Sequence, residues 1–294
     1  MLSERHADTV AVWAPAKVNL YLEVLAKRAD GYHDIETLMV AVSLYDTLEF
    51  KEEASGDIQL DCRHPGLGSG PDNLVCRAAT LLRQRTGCDR GARIRLTKRI
   101  PLAAGLAGGS TDAAATLAGL NRLWRLGLTA PELASLATDL GSDVAFFFAT
   151  PAAWCTGRGE RVTPWPLGRS LWFVLVCPPV GLSTALVYRG VAVPDQPHSG
   201  EAIRRAAREG DPEAIGRCLH NRLQPVAERL CPAVAVLRSR LEGLAPPGQL
   251  MSGSGTSLFA LCRDRGEALH LARKLRHGSE EAARPRVFIV RSCL

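Results

Sequence analysis

Lysine is scarce in this chain. Only Lys17, Lys27, Lys51, Lys98 and Lys274 are lysines, and arginine supplies the rest of the 36 basic residues. Where arginine is the default surface cation, a retained lysine marks a place that can need a compact ammonium rather than a planar guanidinium. A plain solvated cation is explanation enough for Lys51 and Lys274. Aromatic residues are also few, at 5%. The net charge of +6 is spread along the chain, with no basic block and no basic-aromatic interleaving. This favours phosphate-bearing small molecules over nucleic acid as partners. No two of the nine cysteines lie closer than twelve positions, which excludes CxxC pairs and zinc-knuckle spacing and leaves reduced, largely buried thiols. The apolar windows near residues 144–155 and 171–182 are broken by proline and too short to span a bilayer, and residues 1–13 lack a signal peptide's apolar stretch. The expectation is a soluble, cytoplasmic protein with no membrane partner.

Several catalytic signatures are missing as well. No GK[ST] ending marks a Walker A loop, and no GxGxxG marks a dinucleotide site. GxSxG elbows and HExxH helices are also lacking, which argues against the common hydrolases.

What is present is a globular composition, 46% hydrophobic and 22% charged, over 294 residues, enough for one large or two ordinary domains. Val18, Leu20, Leu22 and Val24 recur at period two and predict a half-buried strand, with a shorter strand before it at 9–13. Further strands are expected at 47–51, 57–61 and 92–98, and a helix with Leu74, Ala78, Leu81 and Leu82 on one face. A strand ending near Lys98 leads through a small-residue loop into a helix capped by Ser110 or Thr111. Its stripe is Ala114, Leu117, Leu120 and Trp124, and Gly127 stops it. Another helix runs from about 131 to 140. Residues 157–169, rich in Gly, Pro and Arg, look like a domain junction. Beyond them come a strand at 171–177, two or three helices within 201–240, a strand-loop-strand at 248–262, a helix over about 264–276 and a last strand at 286–291. Strands and helices interleave in both halves. The fold class is therefore α+β with mixed sheets in two domains, 1–160 and 161–294.

The segment Ala103–Asp112, AAGLAGGSTD, carries the strongest chemistry. Gly105, Gly108 and Gly109 let backbone N–H groups approach a ligand. Ser110 and Thr111 then open a helix whose first N–H groups lack internal partners, at the positive end of its dipole. Taken alone, the loop fits phosphate binding and plain tight packing equally well.

Three segments together decide for phosphate. APAKVNLYLEV at 14–24, IPLAAGLAGGSTDAA at 100–114 and MSGSGTSLFAL at 251–261 stand in the order and separations of the GHMP kinase motifs, and the chain resembles that family over nearly its whole length. The resemblance implies an N-terminal domain of the ribosomal-protein type and a C-terminal ferredoxin-like domain. It also implies ATP as co-substrate with Mg²⁺, and phosphoryl transfer to an alcohol. KRADGYHDIETL at 27–38, DNLV at 72–75, LGSDVAFFF at 140–148 and GRGERVTP at 157–164 resemble the branch that phosphorylates the 2-hydroxyl of CDP-methylerythritol in non-mevalonate isoprenoid biosynthesis. A sibling acting on homoserine or mevalonate would share the three motifs but not DGYH or LGSDVAFFF.

Carried over by position, the resemblance makes Asp143 the base that takes the acceptor's proton. It makes Lys17 the ammonium that holds Asp143 ionised and steadies the phosphoryl. Asn19 shares a strand face with Lys17 and orients the substrate. Tyr32 and His33 grip the cytidine, with Thr184 and Tyr188 completing its pocket. Asn73 and Lys98 lie near the adenine. Pro101, Leu102, Ala103, Ala104, Gly105, Leu106, Ala107, Gly108, Gly109, Ser110 and Thr111 bind the ATP, with Gly105, Gly108, Gly109, Ser110 and Thr111 holding its phosphates. No acidic cluster marks a protein cage for the metal. Ala103, Ala104 and Ala107 stand where the family has glycine, and a methyl there is strained wherever the backbone needs positive φ. Monomer and homodimer both remain open.

Overall fold

The alternation at 18–24 belongs to a strand of 19 residues, Thr9–Lys27, into which the expected shorter strand merges. Its apolar face is buried, but so is the other. Lys17, Asn19, Tyr21 and Glu23 are each 3% exposed or less. A strand expected to be half-buried therefore carries a buried polar row, and that row needs partners. The structure, a computed structural model, describes residues 2–6, 8–276 and 284–293. The chain packs as two compact units: Met1–Ala16, Leu44–Leu102 and Ala107–Thr150 in the first, Lys17–Ser43, Ala103–Leu106 and Pro151–Leu294 in the second.

In the first unit β1 (Leu2–His6) pairs antiparallel with the early part of β2 (Thr9–Lys27). The late part of β3 (His33–Glu53) pairs antiparallel with β5 (Gly91–Thr97), and β4 (Ile58–Cys62) runs parallel to β5. Helices α1 (Leu74–Thr86), α2 (Gly108–Trp124) and α3 (Ala130–Ala137) pack on one another, with α1 also against β4. α1 begins at the Asn73 cap and ends on Gly87 in the left-handed region. α3 begins with a Thr129–Glu132 capping box.

α2 is buried nearly all round, a wider contact than the single expected stripe. At Gly119 an added Cβ would sit 2.3 Å from the Phe50 ring of β3, so glycine lets the helix lie directly on the sheet. Its start also differs from the expectation. The cap is Ala107, at φ 55° and without a side-chain hydrogen bond, and Ser110 and Thr111 fall inside the first turn. Its end is set by Arg125 at φ 56° rather than by Gly127.

In the second unit the early part of β3 pairs with β6 (Ala152–Gly157), which forms a hairpin with β7 (Arg161–Pro164). Much of the run at 157–169 is thus hairpin turn and strand. A separate antiparallel sheet has the order β10 (Gly248–Met251), β11 (Leu258–Cys262), β8 (Trp172–Cys177), β12 (Arg286–Arg291). Between β8 and β10 lie α4 (Thr184–Arg189), α5 (Glu201–Glu209), α6 (Pro212–Cys218), the short β9 (His220–Asn221), α7 (Gln224–Leu230) and α8 (Pro232–Glu242). α9 (Arg265–Arg276) joins β11 to β12, completing the βαββαβ order of a ferredoxin-like domain. Four helices stand within 201–242 where two or three are expected, because Pro212, Pro225 and Pro232 each open a new one. The apolar face of this sheet and its helices share one core, with Val174, Val176, Leu223, Leu237, Leu258, Ala260, Leu271 and Leu275 at its centre.

The nine cysteines form no disulfide among the described residues, and burial pushes the thiols of Cys177 and Cys262 up to about 11 and about 12. Among the described residues no helix is long and apolar enough to cross a membrane.

Candidate active site

The second unit carries the Lys17 row. Lys17, Asn19, Tyr21 and Glu23 alternate along β2 and so share one face. Lys17 Nζ donates to Asn19 Oδ1 at 2.6 Å, and Asn19 Nδ2 donates to Thr37 Oγ1 at 2.8 Å. Thr37 Oγ1 in turn donates to the Tyr21 carbonyl at 2.6 Å. The main-chain N–H of Lys17 donates to Leu106 O at 3.2 Å, which ties the glycine loop to the strand that bears the lysine.

That loop also rests on the turn at 252–257. Ser252 Oγ donates to Gly105 O at 2.9 Å, and Ser257 N to Ala104 O at 3.2 Å. An added Cβ on Gly105 would fall 2.0 Å from Ser252 O, and φ there is 73°, so two independent constraints demand glycine. Gly253, at φ 56°, lies against Lys17 Nζ in the same way, its would-be Cβ 3.2 Å from the ammonium. Of the three alanines that replace family glycines, Ala103 at φ 48° and Ala107 at φ 55° hold left-handed backbone. The left-handed region costs an L-residue roughly 1–2 kcal/mol.

The DGYH turn is built by Asp30, whose carboxylate accepts from Tyr32 N at 3.1 Å and pairs with Arg28. It places His33 on β3, buried, with its ring 5.4 Å from that of Tyr188 on α4. Burial, and then the charge of Lys27, hold the His33 imidazole below its ordinary pKa, so near neutral pH it has one donor and one acceptor nitrogen. Tyr32 is 53% exposed, with the Arg158 guanidinium 4.9 Å above its ring. Thr184 Oγ1 and Ser254 Oγ are 2.8 Å apart, which joins the start of α4 to the 252–257 turn.

The first unit carries the opening of α2 and Asp143. Thr111 N makes the helix's first backbone bond, to Ala107 O, so the N–H groups of Gly108, Gly109 and Ser110 precede the ladder. No acidic side chain occupies the first turn, and the dipole there favours an anion. Thr111 Oγ1 is buried without a protein hydrogen-bond partner. Asp143 is half-buried in the turn before the short 3₁₀ helix Ala145–Phe148. Asn73 caps α1 through Oδ1 and holds Gly68 O through Nδ2, fixing the loop before the helix. An open groove of about 340 Å³ beside Lys98 is lined by Asp61, Arg63, His64, Arg95, Leu96 and Thr97.

The Lys98 side chain points inward. Its ammonium, 2% exposed, is paired with Asp46 and with Asp112, the latter at 2.7 Å. Burial alone would lower the Lys98 pKa, but the two carboxylates outweigh it and keep the ammonium charged. Burial, aided by the like charge of Asp46, pushes the Asp112 carboxyl up. Asp46 also accepts from Arg99 N at 2.5 Å and Ile100 N at 3.0 Å. The trio therefore fastens the backbone that enters the glycine loop to the helix that leaves it. Asp46, Asp112, Thr37 and Ser252 escape sequence reasoning. The only signal for Asp46 is a lone carboxylate amid an apolar strand, and for Asp112 a lone one among small residues.

An anion-favouring helix start, a buried lysine row and a ferredoxin-like domain point to a phosphotransferase of the GHMP type. The GHMP kinases N-terminal domain family matches residues 73–150, and the C-terminal domain family matches 203–280. The chain is 47% identical over 271 residues to a 4-diphosphocytidyl-2-C-methyl-D-erythritol kinase of Symbiobacterium thermophilum, covering 91% of this chain and 95% of that one. It is 43% identical over 272 residues to the same kinase of Shouchella clausii, covering 92% of each. Among solved structures, a crystal structure of 4-(cytidine 5'-diphospho)-2C-methyl-D-erythritol kinase matches with a TM-score of 0.79 at 36% identity, covering 96% of this chain and 99% of that one. A homoserine kinase from Cytophaga hutchinsonii shares the fold, with a TM-score of 0.78 at 18% identity, covering 100% of this chain and 97% of that one. The chain belongs to the GHMP kinase family and, within it, to the 4-diphosphocytidyl-2-C-methyl-D-erythritol kinases.

Proposed function

We propose that the chain transfers the γ-phosphoryl group of ATP to the 2-hydroxyl of CDP-methylerythritol, with Asp143 and Lys17 as the reacting pair. The observation that carries this reading is the buried Lys17–Asn19 pair on β2, in a chain with almost no other buried lysine to spare. Phosphoryl transfer asks a protein mainly to position groups and stabilise charge. Asp143 accepts the hydroxyl proton as the new P–O bond forms and the bond to ADP breaks. Lys17 steadies the transferring group, and Asn19 orients the acceptor. The N–H groups at the start of α2, the glycine backbone and the hydroxyls of Ser110 and Thr111 hold the phosphates, with residues 101–107 folding over them. Asn73 and the backbone about Lys98 flank the adenine, for which the groove beside Lys98 offers room.

A nucleotide of this kind travels with Mg²⁺. Among the described residues no group of three or more His, Cys, Asp or Glu side chains could hold a metal. Thr111 Oγ1 and Asp112 Oδ1, buried oxygens with no protein hydrogen-bond partner, are of the type Mg²⁺ takes beside phosphate and water. The ion supplies charge neutralisation at the phosphate oxygens. On the acceptor side, neutral His33 reads the base through its donor and acceptor nitrogens, Tyr188 and Tyr32 pack on the ring, and Thr184 closes the pocket. Residues 1–160 then serve as the N-terminal and 161–294 as the C-terminal functional domain, and cysteines outside any disulfide suit the reducing cytoplasm.

Asp143→Asn keeps the shape and removes the base. Its kcat falls by roughly a hundredfold to ten-thousandfold with KM little changed, and adding Lys17→Met costs much less than the product of the two single losses. Near-full kcat in Asp143→Asn, where chemistry limits the rate, would assign Asp143 to positioning or structure instead.

A further inference from the structure

We propose that Thr37 is a positioning residue for the phosphoryl transfer: its hydroxyl fixes the Asn19 amide in the one orientation that turns a carbonyl oxygen toward Lys17. The inference rests on the reading of Lys17 and Asn19 as active-site residues. It follows from counting donors. The Tyr21 carbonyl can only accept, so at 2.6 Å it takes the single Thr37 hydroxyl proton. The Thr37 oxygen is left able only to accept. Asn19 therefore faces it with the N–H₂ end, at 2.8 Å, and its Oδ1 is left to face the Lys17 ammonium at 2.6 Å. The flipped amide would set N–H₂ against NH₃⁺, and its oxygen against an oxygen with no proton to give.

All three side chains are at most 3% exposed, so no solvent competes for these bonds, and each is stronger for it. Thr37 lies on β3, eighteen positions from Asn19, on the strand next to β2 in the sheet, so the orientation of Asn19 is fixed from a neighbouring strand. The ammonium is thereby held to one place. A displacement of about 1 Å at a reacting group can cost on the order of a hundredfold in rate.

The test is steady-state kinetics on Thr37→Val, Thr37→Ser, Asn19→Asp and Lys17→Met, each checked for a wild-type thermal transition. Thr37→Val keeps the shape and loses the hydroxyl, and kcat drops on the order of ten- to a hundredfold while both KM values stay within about twofold. Thr37→Ser restores the hydroxyl and brings kcat back to within about threefold of wild type. If Thr37→Val does not fold, Asn19→Asp still decides. A carboxylate cannot donate to the Thr37 oxygen, so kcat falls, whereas near-wild-type turnover there overturns the proposal. Wild-type kcat in Thr37→Val, or equal losses in Val and Ser, also overturns it, provided Lys17→Met is inactive. An active Lys17→Met instead overturns the reading of Lys17 itself.

Discussion

At the scale of single residues, the scarcity of lysine has a structural counterpart. Lys51 pairs with Asp8 at the surface, and Lys27 and Lys274 are exposed. Lys17 and Lys98 are the two whose ammonium groups are buried, and each is met by oxygen. The buried end of the β2 row follows the same rule. Glu23 accepts both nitrogens of an Arg222 fork at 2.7 Å, His198 N at 2.9 Å, His220 Nε2 at 3.1 Å and Val24 N at 2.8 Å. Burial pushes its carboxyl up, but these donors outweigh it and hold it at about 2. A depressed carboxyl stabilises the fold above its unfolded pKa, near 4.5, and that stability drains away as pH falls through about 2. The shift corresponds to about 3 kcal/mol. Glu23→Gln is expected to be less stable at neutral pH and to show a flatter decline between pH 4.5 and 2 in denaturant titrations. An acid decline as steep as wild type would show that Glu23 stays protonated or unpaired in the folded protein.

The glycine loop is the element where sequence and structure can be compared most closely. Gly105 is visible in the sequence as part of a glycine pattern, but its two reasons are not. Ser252 approaches from 147 positions away, and only the fold brings its carbonyl to the place a Cβ would fill. Gly105→Ala is accordingly expected to displace the loop, raising KM for ATP by tenfold or more while the rest of the chain stays folded. Ala107→Gly should act in the opposite sense. It relieves a left-handed alanine at a helix cap and gains roughly 1 kcal/mol in stability, less what the freer unfolded chain takes back. Unchanged ATP binding in Gly105→Ala would mean that this turn does not hold the nucleotide.

The strands at 18–24, 47–51, 57–61 and 92–98 were legible because their apolar residues alternate, whereas Ala152–Gly157 and Arg161–Pro164, beside or within a run rich in Gly, Pro and Arg, were not. The buried polar row was legible only in part, since Lys17 and Asn19 sit in a motif whereas Thr37, Asp46 and Asp112 acquire meaning from partners far off in sequence. Helix boundaries within 201–242 were blurred for a local reason. Proline both ends and opens helices, and the three prolines here open them.

At the scale of the whole molecule, the second unit carries the ferredoxin-like sheet, the DGYH turn and the Lys17 row, and the first carries the start of α2 and Asp143. Homoserine and mevalonate kinases share this fold at 18% and 14% identity, so the architecture alone does not choose the acceptor. On the proposed reading the choice falls to His33, Tyr188 and Tyr32, whose rings and donor and acceptor groups would meet a base that homoserine and mevalonate lack. A site built to satisfy buried polar groups on its ligand rejects an analogue without them by large factors. The decisive measurement is a coupled ADP-release assay comparing CDP-methylerythritol, homoserine and mevalonate as acceptors. Turnover with CDP-methylerythritol, and kcat/KM at least on the order of a hundredfold lower for the other two, is the expected result. Equal rates on all three, or activity confined to homoserine or mevalonate, would contradict it.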